Sequence, residues 1–375
     1  MKQFENLTLI MLMTNDCNLD CSYCYARKGK EGDQSINYMN QEVVAATMES
    51  LQSLPANRIE LNWHGGEPLL LDQTLLNFAV MEQRKWFNNN PTKRIINKIQ
   101  TNGTLITKDW VTFLKLNDFI VGLSIDGPPQ VHNTNRPMPK GKDSFDATLR
   151  GIKLLEHENV LVGKLLVITP HSTNYVGEIY DFCKKEIQTY DVIPCFHVNR
   201  SSGEIINPTI SDQEYGDFLI ELFNYWVYDD DPDNYIRLFV EILKAMKGGH
   251  STVCSLIRGC NSFITVDWNG DVYPCDNFSA YDDFIMGNLL ETPLDDILAT
   301  NKYKDIMSQM TKHPNYCRNC KWLSICNGGC GHHCYVPGFN FENRNFYCNS
   351  RKRLFAHMDN WLSSMDSDYW SSSYA

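Results

Sequence analysis

Apolar positions along the chain follow two spacings, and the switch between them marks the elements. Leu7 to Met13 is a short apolar run that reads as a buried strand. From Asn40, an N-cap residue type, Val43, Val44, Met48 and Leu51 fall on one helical face. A strand is expected over Arg58 to Trp63, then a helical stretch around Leu70 to Phe87. Strand-like segments recur at Ile95 to Gln100, Phe119 to Ile125, Leu161 to Ile168 and Val192 to Val198. Helical stretches lie between them, near Lys108 to Leu116, Ser144 to His157 and Tyr175 to Glu186. Strand and helix in alternation predict an α/β fold, with a parallel sheet and helical crossovers. Six such units point to a partial, TIM-like (β/α)6 barrel with function at the carboxyl ends of the strands. An open doubly wound sheet is the alternative.

The pattern then changes. Ser211 to Tyr228 reads as a helix, with Ser211 and Glu214 as a capping box. Tyr215, Phe218, Leu219, Leu222, Phe223 and Trp226 form its apolar stripe, which we read as core. Asp229 to Asp233 breaks the helix as a solvated turn, and a second helix over Tyr235 to Lys247 stops at Gly248-Gly249. Phe263 to Cys275 reads as a hairpin turning at Asp267-Trp268-Asn269-Gly270. Arg351 to Ser363 reads as a capping helix, with a polar tail after it. These breaks divide the chain into a core domain (1–233), a cysteine-rich domain with its linking helix (234–350), and a C-terminal helix and tail (351–375).

The chain has 375 residues and a net charge of −11. That balance argues against a nucleic-acid partner, which needs clustered Lys and Arg. No apolar run approaches the length needed to cross a bilayer. Lys2 alone precedes Leu7 to Met13, which therefore does not read as a signal peptide. We expect a cytoplasmic protein, and nothing in the long apolar helices requires a partner subunit. Fourteen cysteines in such a chain suggest reduced thiols holding metal rather than a small disulfide scaffold.

Cys17, Cys21 and Cys24 sit within eight positions, directly after the first strand. Three thiolates at this spacing can bind one face of an iron–sulfur cube and leave the fourth iron open. An open coordination position makes a metal site reactive rather than structural. The alternative is zinc or buried thiols, although structural zinc takes four ligands. Later strands end in polar, glycine-bearing segments: Trp63-His64-Gly65-Gly66-Glu67-Pro68, Gln100-Thr101-Asn102-Gly103-Thr104 and Ser124-Ile125-Asp126-Gly127-Pro128. Each alone is ordinary turn chemistry. Together they describe a polar rim in which Glu67 can accept from an ammonium group and paired glycines allow close backbone approach.

The three-cysteine spacing, with Tyr23 before the third cysteine, resembles the signature of the radical S-adenosylmethionine (radical SAM) enzymes. The segments IQTNGTLIT and VGLSIDGPPQVHNTNR resemble the anaerobic sulfatase-maturating members. The resemblance implies that Tyr23 contacts adenine through its backbone, Gly66 (beside Glu67) holds the methionyl amine and Ser124 the ribose or carboxylate region. Arg136 would pair the carboxylate, for which its planar fork is suited. Phe196 would add a further cofactor contact, and His64 is either a turn residue or a substrate contact.

Gly270-x4-Cys275, Cys317-x2-Cys320-x5-Cys326-x3-Cys330 and a distant Cys348 resemble the SPASM extension of radical SAM peptide maturases. That resemblance implies two auxiliary [4Fe–4S] clusters, making three in all. Cys254, Cys260, Cys275 and Cys330 would hold the nearer, and Cys317, Cys320, Cys326 and Cys348 the farther. A pair of zinc sites is the competing reading. Cys183 and Cys195 read as small core residues. Cys334 is either a surplus exposed thiol or an alternative cluster ligand, and His332 and His333 are expected on a loop surface.

Asp276 directly follows Cys275, and the resemblance implies that it acts as a general base; the alternative is that it only accepts a backbone hydrogen bond. The implied reaction is oxidation of a cysteine or serine in a sulfatase polypeptide to Cα-formylglycine. A reductant such as flavodoxin or ferredoxin starts it, and a 5′-deoxyadenosyl radical takes a Cβ hydrogen while Asp276 takes the thiol or hydroxyl proton. Two other readings stand beside it. One is a maturase that cross-links a ribosomal peptide; the other is a zinc-stabilised interaction module.

Overall fold

The computed structural model describes residues 6–24, 35–87, 93–199, 202–279 and 281–364. The chain forms two compact units, each discontinuous in sequence: residues 1–124, 136–163 and 260–311, and residues 125–135, 164–259 and 312–375. The polar tail after the last helix lies outside the described residues.

In the first unit, β1 (Asn6–Leu12), β2 (Arg58–His64), β3 (Arg94–Thr101) and β4 (Ile120–Ser124) run parallel in sequence order. The crossovers carry α1 (Gln41–Ser53), α2 (Thr74–Phe87) and α3 (Lys108–Leu116). Buried residues alternate along β2 as Ile59, Leu61 and Trp63, and β1 is buried almost throughout. Such strands are covered on both faces, as parallel strands with helical crossovers are. Asn40 caps α1 by accepting from the Val43 N–H at 3.0 Å. A buried amide pair ties α2 to the sheet. Asn97 and Gln83 exchange hydrogen bonds at 2.8 and 3.0 Å, and Trp63 Nε1 donates to Asn97 Oδ1 at 3.1 Å. The predicted hairpin is present as two short strands, Phe263–Val266 and Asp271–Tyr273, with Phe263–Val266 parallel to β1. Two helices that the sequence pattern left unread, Leu294–Ala299 and Asn301–Thr311, complete this unit.

In the second unit, β5 (Val162–Ile168, from Lys164 on) pairs in parallel with β6 (Thr189–Pro194), and β6 with the two-residue strand Tyr235–Ile236. Strand β6 lies earlier than the expected 192–198, because Ile187 ends the preceding helix and Gln188 turns at positive φ directly into Thr189. The aromatic helix, Asp212–Asp229, has the predicted capping box and buries its stripe. Trp226 Nε1 donates to the Asn234 carbonyl at 2.8 Å. The acidic break does more than meet solvent, since Asp229 and Asp231 both pair with Lys184, at 2.6 and 3.6 Å. The last helix starts at Cys348 rather than Arg351 and runs to Ser364. Among the described residues no helix is long and apolar enough to cross a membrane.

Candidate functional site

The three-cysteine loop is built onto the turns that follow β2 and β3. Backbone pairing between β1 and β2 continues past the strands: Gly66 N–H donates to the Thr14 carbonyl at 2.6 Å and Glu67 N–H to the Asp16 carbonyl at 2.8 Å. Glycine is required there. Gly65 has φ +124°, and a Cβ on Gly66 would stand 2.0 Å from the Asp16 oxygen. The paired glycines therefore admit the chain's own cysteine loop.

Glu67 is fully buried beneath this contact. Its Oε1 accepts from the Thr101 hydroxyl at 2.7 Å and the Leu69 N–H at 3.0 Å, and its Oε2 from the Asn102 N–H at 2.8 Å. Burial holds its carboxyl above the usual range, and these donors act against that shift. Asn102 then reaches the loop, donating to Asn18 Oδ1 at 2.8 Å and lying 3.9 Å from Cys17 Sγ. Asn18 donates in turn to Thr104 Oγ1 at 2.8 Å. The sequence offered no sign of Asn18 or Thr104 beyond a turn composition.

The far side of the loop is closed from within the same unit. Asp20 N–H donates to the Pro137 carbonyl at 2.7 Å, and the Arg136 guanidinium lies 5.2 Å from the Tyr23 ring centroid. Arg136 is itself buried. Ser124 Oγ accepts from Gln100 Nε2 at 3.0 Å. His64 Nδ1 accepts from the Gly65 N–H at 2.7 Å, so the hydrogen bond assigns a neutral ring its proton on Nε2. Burial lowers the pKa of His64, with the Asp276 carboxylate opposing the shift.

The donor set fits an iron–sulfur cluster. Burial pushes the Cys17 thiol up to about 12, and Glu67 and the other two thiols add to the rise. A thiolate at Cys17 thus needs a cation beside it, which iron supplies.

In the second unit, Cys317, Cys320, Cys326 and Cys348 line one pocket together with Tyr316, Arg351 and Phe355. Burial raises the Cys317 thiol, and Cys326, Cys348 and Cys320 add to it, as four thiols drawn together must. Of the other four candidate ligands, Cys260 and Cys275 belong to the first unit, and Cys254 and Cys330 to the second. Asp276 Oδ1 lies 3.1 Å from Cys275 Sγ. Phe196 packs against His332, His333, Phe346 and Tyr347.

Two expectations are corrected here. His332 and His333 do not sit on a surface loop; they lie in the short helix Gly331–Tyr335, where His332 is buried and His333 stacks in the Phe196 cluster. Cys334 is not exposed. It is fully buried, accepting from Arg258 at 3.7 Å and Asn345 at 3.8 Å. Cys183 and Cys195 are buried, as core residues.

Residues 11–183 match the radical SAM superfamily, and residues 254–321 match the SPASM iron–sulfur cluster-binding domain. A cysteine-type anaerobic sulfatase-maturating enzyme of Clostridium perfringens is 31% identical over 354 residues, 93% of this chain and 95% of that protein. The chain belongs to the anaerobic sulfatase-maturating family of radical SAM enzymes. A serine-type member from Bacteroides thetaiotaomicron is 28% identical over 359 residues, covering 88% of this chain and 85% of its own length. Among solved structures, native anSMEcpe with bound AdoMet and Cp18Cys peptide superposes with TM-score 0.83 at 29% identity, over 95% of this chain and 98% of that one. In this family member the cysteine loop, the GGEP turn and the TNGT turn form one hydrogen-bonded body.

Proposed function

We propose that this chain oxidises a cysteine or serine residue of a sulfatase polypeptide to Cα-formylglycine, using S-adenosylmethionine and three [4Fe–4S] clusters. One observation carries the reading: a cysteine loop with the radical SAM spacing is locked onto the buried Glu67–Asn102 bridge. The likeness to cysteine- and serine-type maturases over most of the chain supplies the substrate class.

In this reading Cys17, Cys21 and Cys24 hold the first cluster. Cys254, Cys260, Cys275 and Cys330 hold the nearer auxiliary cluster, and Cys317, Cys320, Cys326 and Cys348 the farther. Gly66 presents backbone to the methionyl amine while Glu67 braces the turn behind it. Arg136 pairs the carboxylate, Ser124 the ribose or carboxylate region, the Tyr23 backbone the adenine, and Phe196 makes a further contact. When bound, these cofactors supply removal of a Cβ hydrogen atom and an outlet for the second electron. The chain's own part is acid–base chemistry and positioning. Asp276 accepts the thiol or hydroxyl proton of the substrate, a task suited to a carboxylate within reach of it. Water then hydrolyses the thioaldehyde of a cysteine substrate to the aldehyde, releasing hydrogen sulfide. We assign residues 1–233 to the radical SAM core, 234–350 to the auxiliary-cluster domain and 351–375 to a terminal helix and tail. We place the enzyme in the cytoplasm as a monomer reduced by a flavodoxin or ferredoxin.

The test is direct. The anaerobically reconstituted chain is incubated with S-adenosylmethionine, reductant and a cysteine-containing sulfatase peptide, and the peptide is followed by mass spectrometry and aldehyde-specific labelling. An aldehyde at the target residue is expected. An internal cross-link, or no aldehyde, overturns the assignment.

A further inference from the structure

One thiol in each proposed auxiliary ligand set has a charged neighbour, a guanidinium at Cys326 and a carboxylate at Cys275, although Arg351 also acts more weakly on Cys330. Arg351 Nη1 donates to Cys326 Sγ at 3.7 Å and to the Ser255 carbonyl at 2.7 Å. It follows Cys348 by three positions on the helix Cys348–Ser364, the spacing that puts two side chains on one face. Gly329, at φ +78°, keeps space for Asn345 first and for the guanidinium second: a Cβ there would lie 2.7 Å from Asn345 Nδ2 and 3.1 Å from Arg351 Nη1. A second, exposed arginine, Arg344, donates to Asn349 Oδ1 and acts electrostatically on the Cys348 thiol. One of the four thiols lining this pocket, Cys326, therefore meets a guanidinium, and a second, Cys348, has one acting on it electrostatically. At Cys275 the neighbour is instead the Asp276 carboxylate, at 3.1 Å.

An iron–sulfur cluster's reduction potential is set by its net charge, by hydrogen bonds to its sulfurs and by solvent exposure. Reduction adds a negative charge. Arginines beside the ligand sulfurs stabilise that added charge, whereas a carboxylate opposes it, and both effects strengthen away from bulk water.

We propose that Arg344 and Arg351 hold the reduction potential of the Cys317/Cys320/Cys326/Cys348 cluster above that of the cluster ligated by Cys275, which Asp276 keeps low. This rests on the ligand assignment of the preceding subsection. Both arginines act through the ligands and are positioning residues for the cluster's charge.

The experiment is an anaerobic redox titration of the reconstituted full-length enzyme, followed by electron paramagnetic resonance, with iron and sulfide assayed on the same samples. Cys326→Ala identifies the farther cluster as the signal it removes. In Arg351→Gln that signal should move to a more negative midpoint potential while the other auxiliary signal moves less. Arg351→Lys, which keeps the charge, should move it less than the glutamine variant, and Asp276→Asn should move the other auxiliary signal to more positive potential. If Arg351→Gln loses cluster iron, Arg344→Gln carries the test with the same expected direction. A farther-cluster midpoint unmoved in an iron-replete arginine variant, or equal shifts in both auxiliary signals, overturns the inference and leaves the ligand assignment standing. A Cys326→Ala enzyme with every signal and all its iron overturns the ligand assignment itself.

Discussion

Glu67 Oε2 accepts the Asn102 backbone N–H at 2.8 Å, so one buried carboxylate joins the turn after β2 to the turn after β3. The same carboxylate satisfies the Thr101 hydroxyl and the Leu69 N–H, and Asn102 carries the connection on to Asn18 in the cysteine loop. The residue is part of the frame on which the cluster loop rests.

Replacing Glu67 tests that frame. Glu67→Ala strands three buried donors, at about 1–3 kcal/mol for each one left unsatisfied. Denaturant unfolding should show a loss on the order of 3 kcal/mol or more, with iron missing from the first cluster. Glu67→Gln retains one acceptor oxygen and should lose less. Equal stability in all three proteins would deny the carboxylate this role.

Gly66 makes a sharper test, because the space at a glycine is directly measurable. A methyl group there would stand 2.0 Å from the Asp16 carbonyl oxygen, whereas one at Gly163 meets nothing within 4 Å. Gly66→Ala should therefore displace the cysteine loop and reduce cluster content and S-adenosylmethionine binding together. Gly163→Ala should keep both. The comparison is read by iron assay and equilibrium binding on proteins prepared side by side.

Much of this was legible in the sequence, for identifiable reasons. The strands β1 to β5 and the long helices follow from apolar periodicity, and the capping box at Ser211 from its residue types. Cys17, Cys21 and Cys24 were legible because their spacing is local. What periodicity could not give was anything made by contacts between distant segments. Asn-Gly after β3 looks like a turn whether or not Asn102 reaches Asn18, 84 positions away. His332 and His333 read as polar loop residues, but they are covered by Phe196, from a remote position in the same unit, and by the nearer Tyr347. Arg351 looks like an ordinary surface cation until its contact with Cys326 is seen.

His333 gives a pH prediction. Its pKa is held well below the ordinary value by burial first, with His332 and Arg351 adding to the effect. A histidine depressed in the folded state contributes stability that is present above its unfolded pKa, near 6.5, and lost as pH falls toward the folded value. The loss is on the order of 1 kcal/mol one pH unit below the unfolded pKa. His333→Phe keeps a ring against Phe196 and removes the titration. The wild-type melting temperature should fall more between pH 7.5 and about 5.5 than that of the variant; parallel curves would show that His333 does not contribute.

Cys334 is predicted to be dispensable for metal. The buried thiol accepts from Arg258 and Asn345 and lies 3.8 Å from the Gly328 carbonyl, an ordinary set of partners for a packed cysteine. Cys334→Ser should retain full iron and sulfide, whereas Cys317→Ser should lose iron. Iron loss in Cys334→Ser would make it a ligand.

The last prediction separates proton transfer from cleavage of S-adenosylmethionine. Asp276 follows Cys275, with its Oδ1 3.1 Å from that sulfur, and the proposed reaction needs an acceptor for the substrate's thiol or hydroxyl proton. Asparagine preserves shape and removes the base. General-base catalysis by a placed side chain contributes about 10²–10⁴-fold, so Asp276→Asn should lose aldehyde formation by a factor in that range. Cleavage of S-adenosylmethionine to 5′-deoxyadenosine should survive, since no residue assigned to binding it has changed. Both products are quantified in one reaction by liquid chromatography and mass spectrometry. Undiminished aldehyde would remove Asp276 from the mechanism, and loss of both products would assign it to holding the cluster rather than to moving the proton.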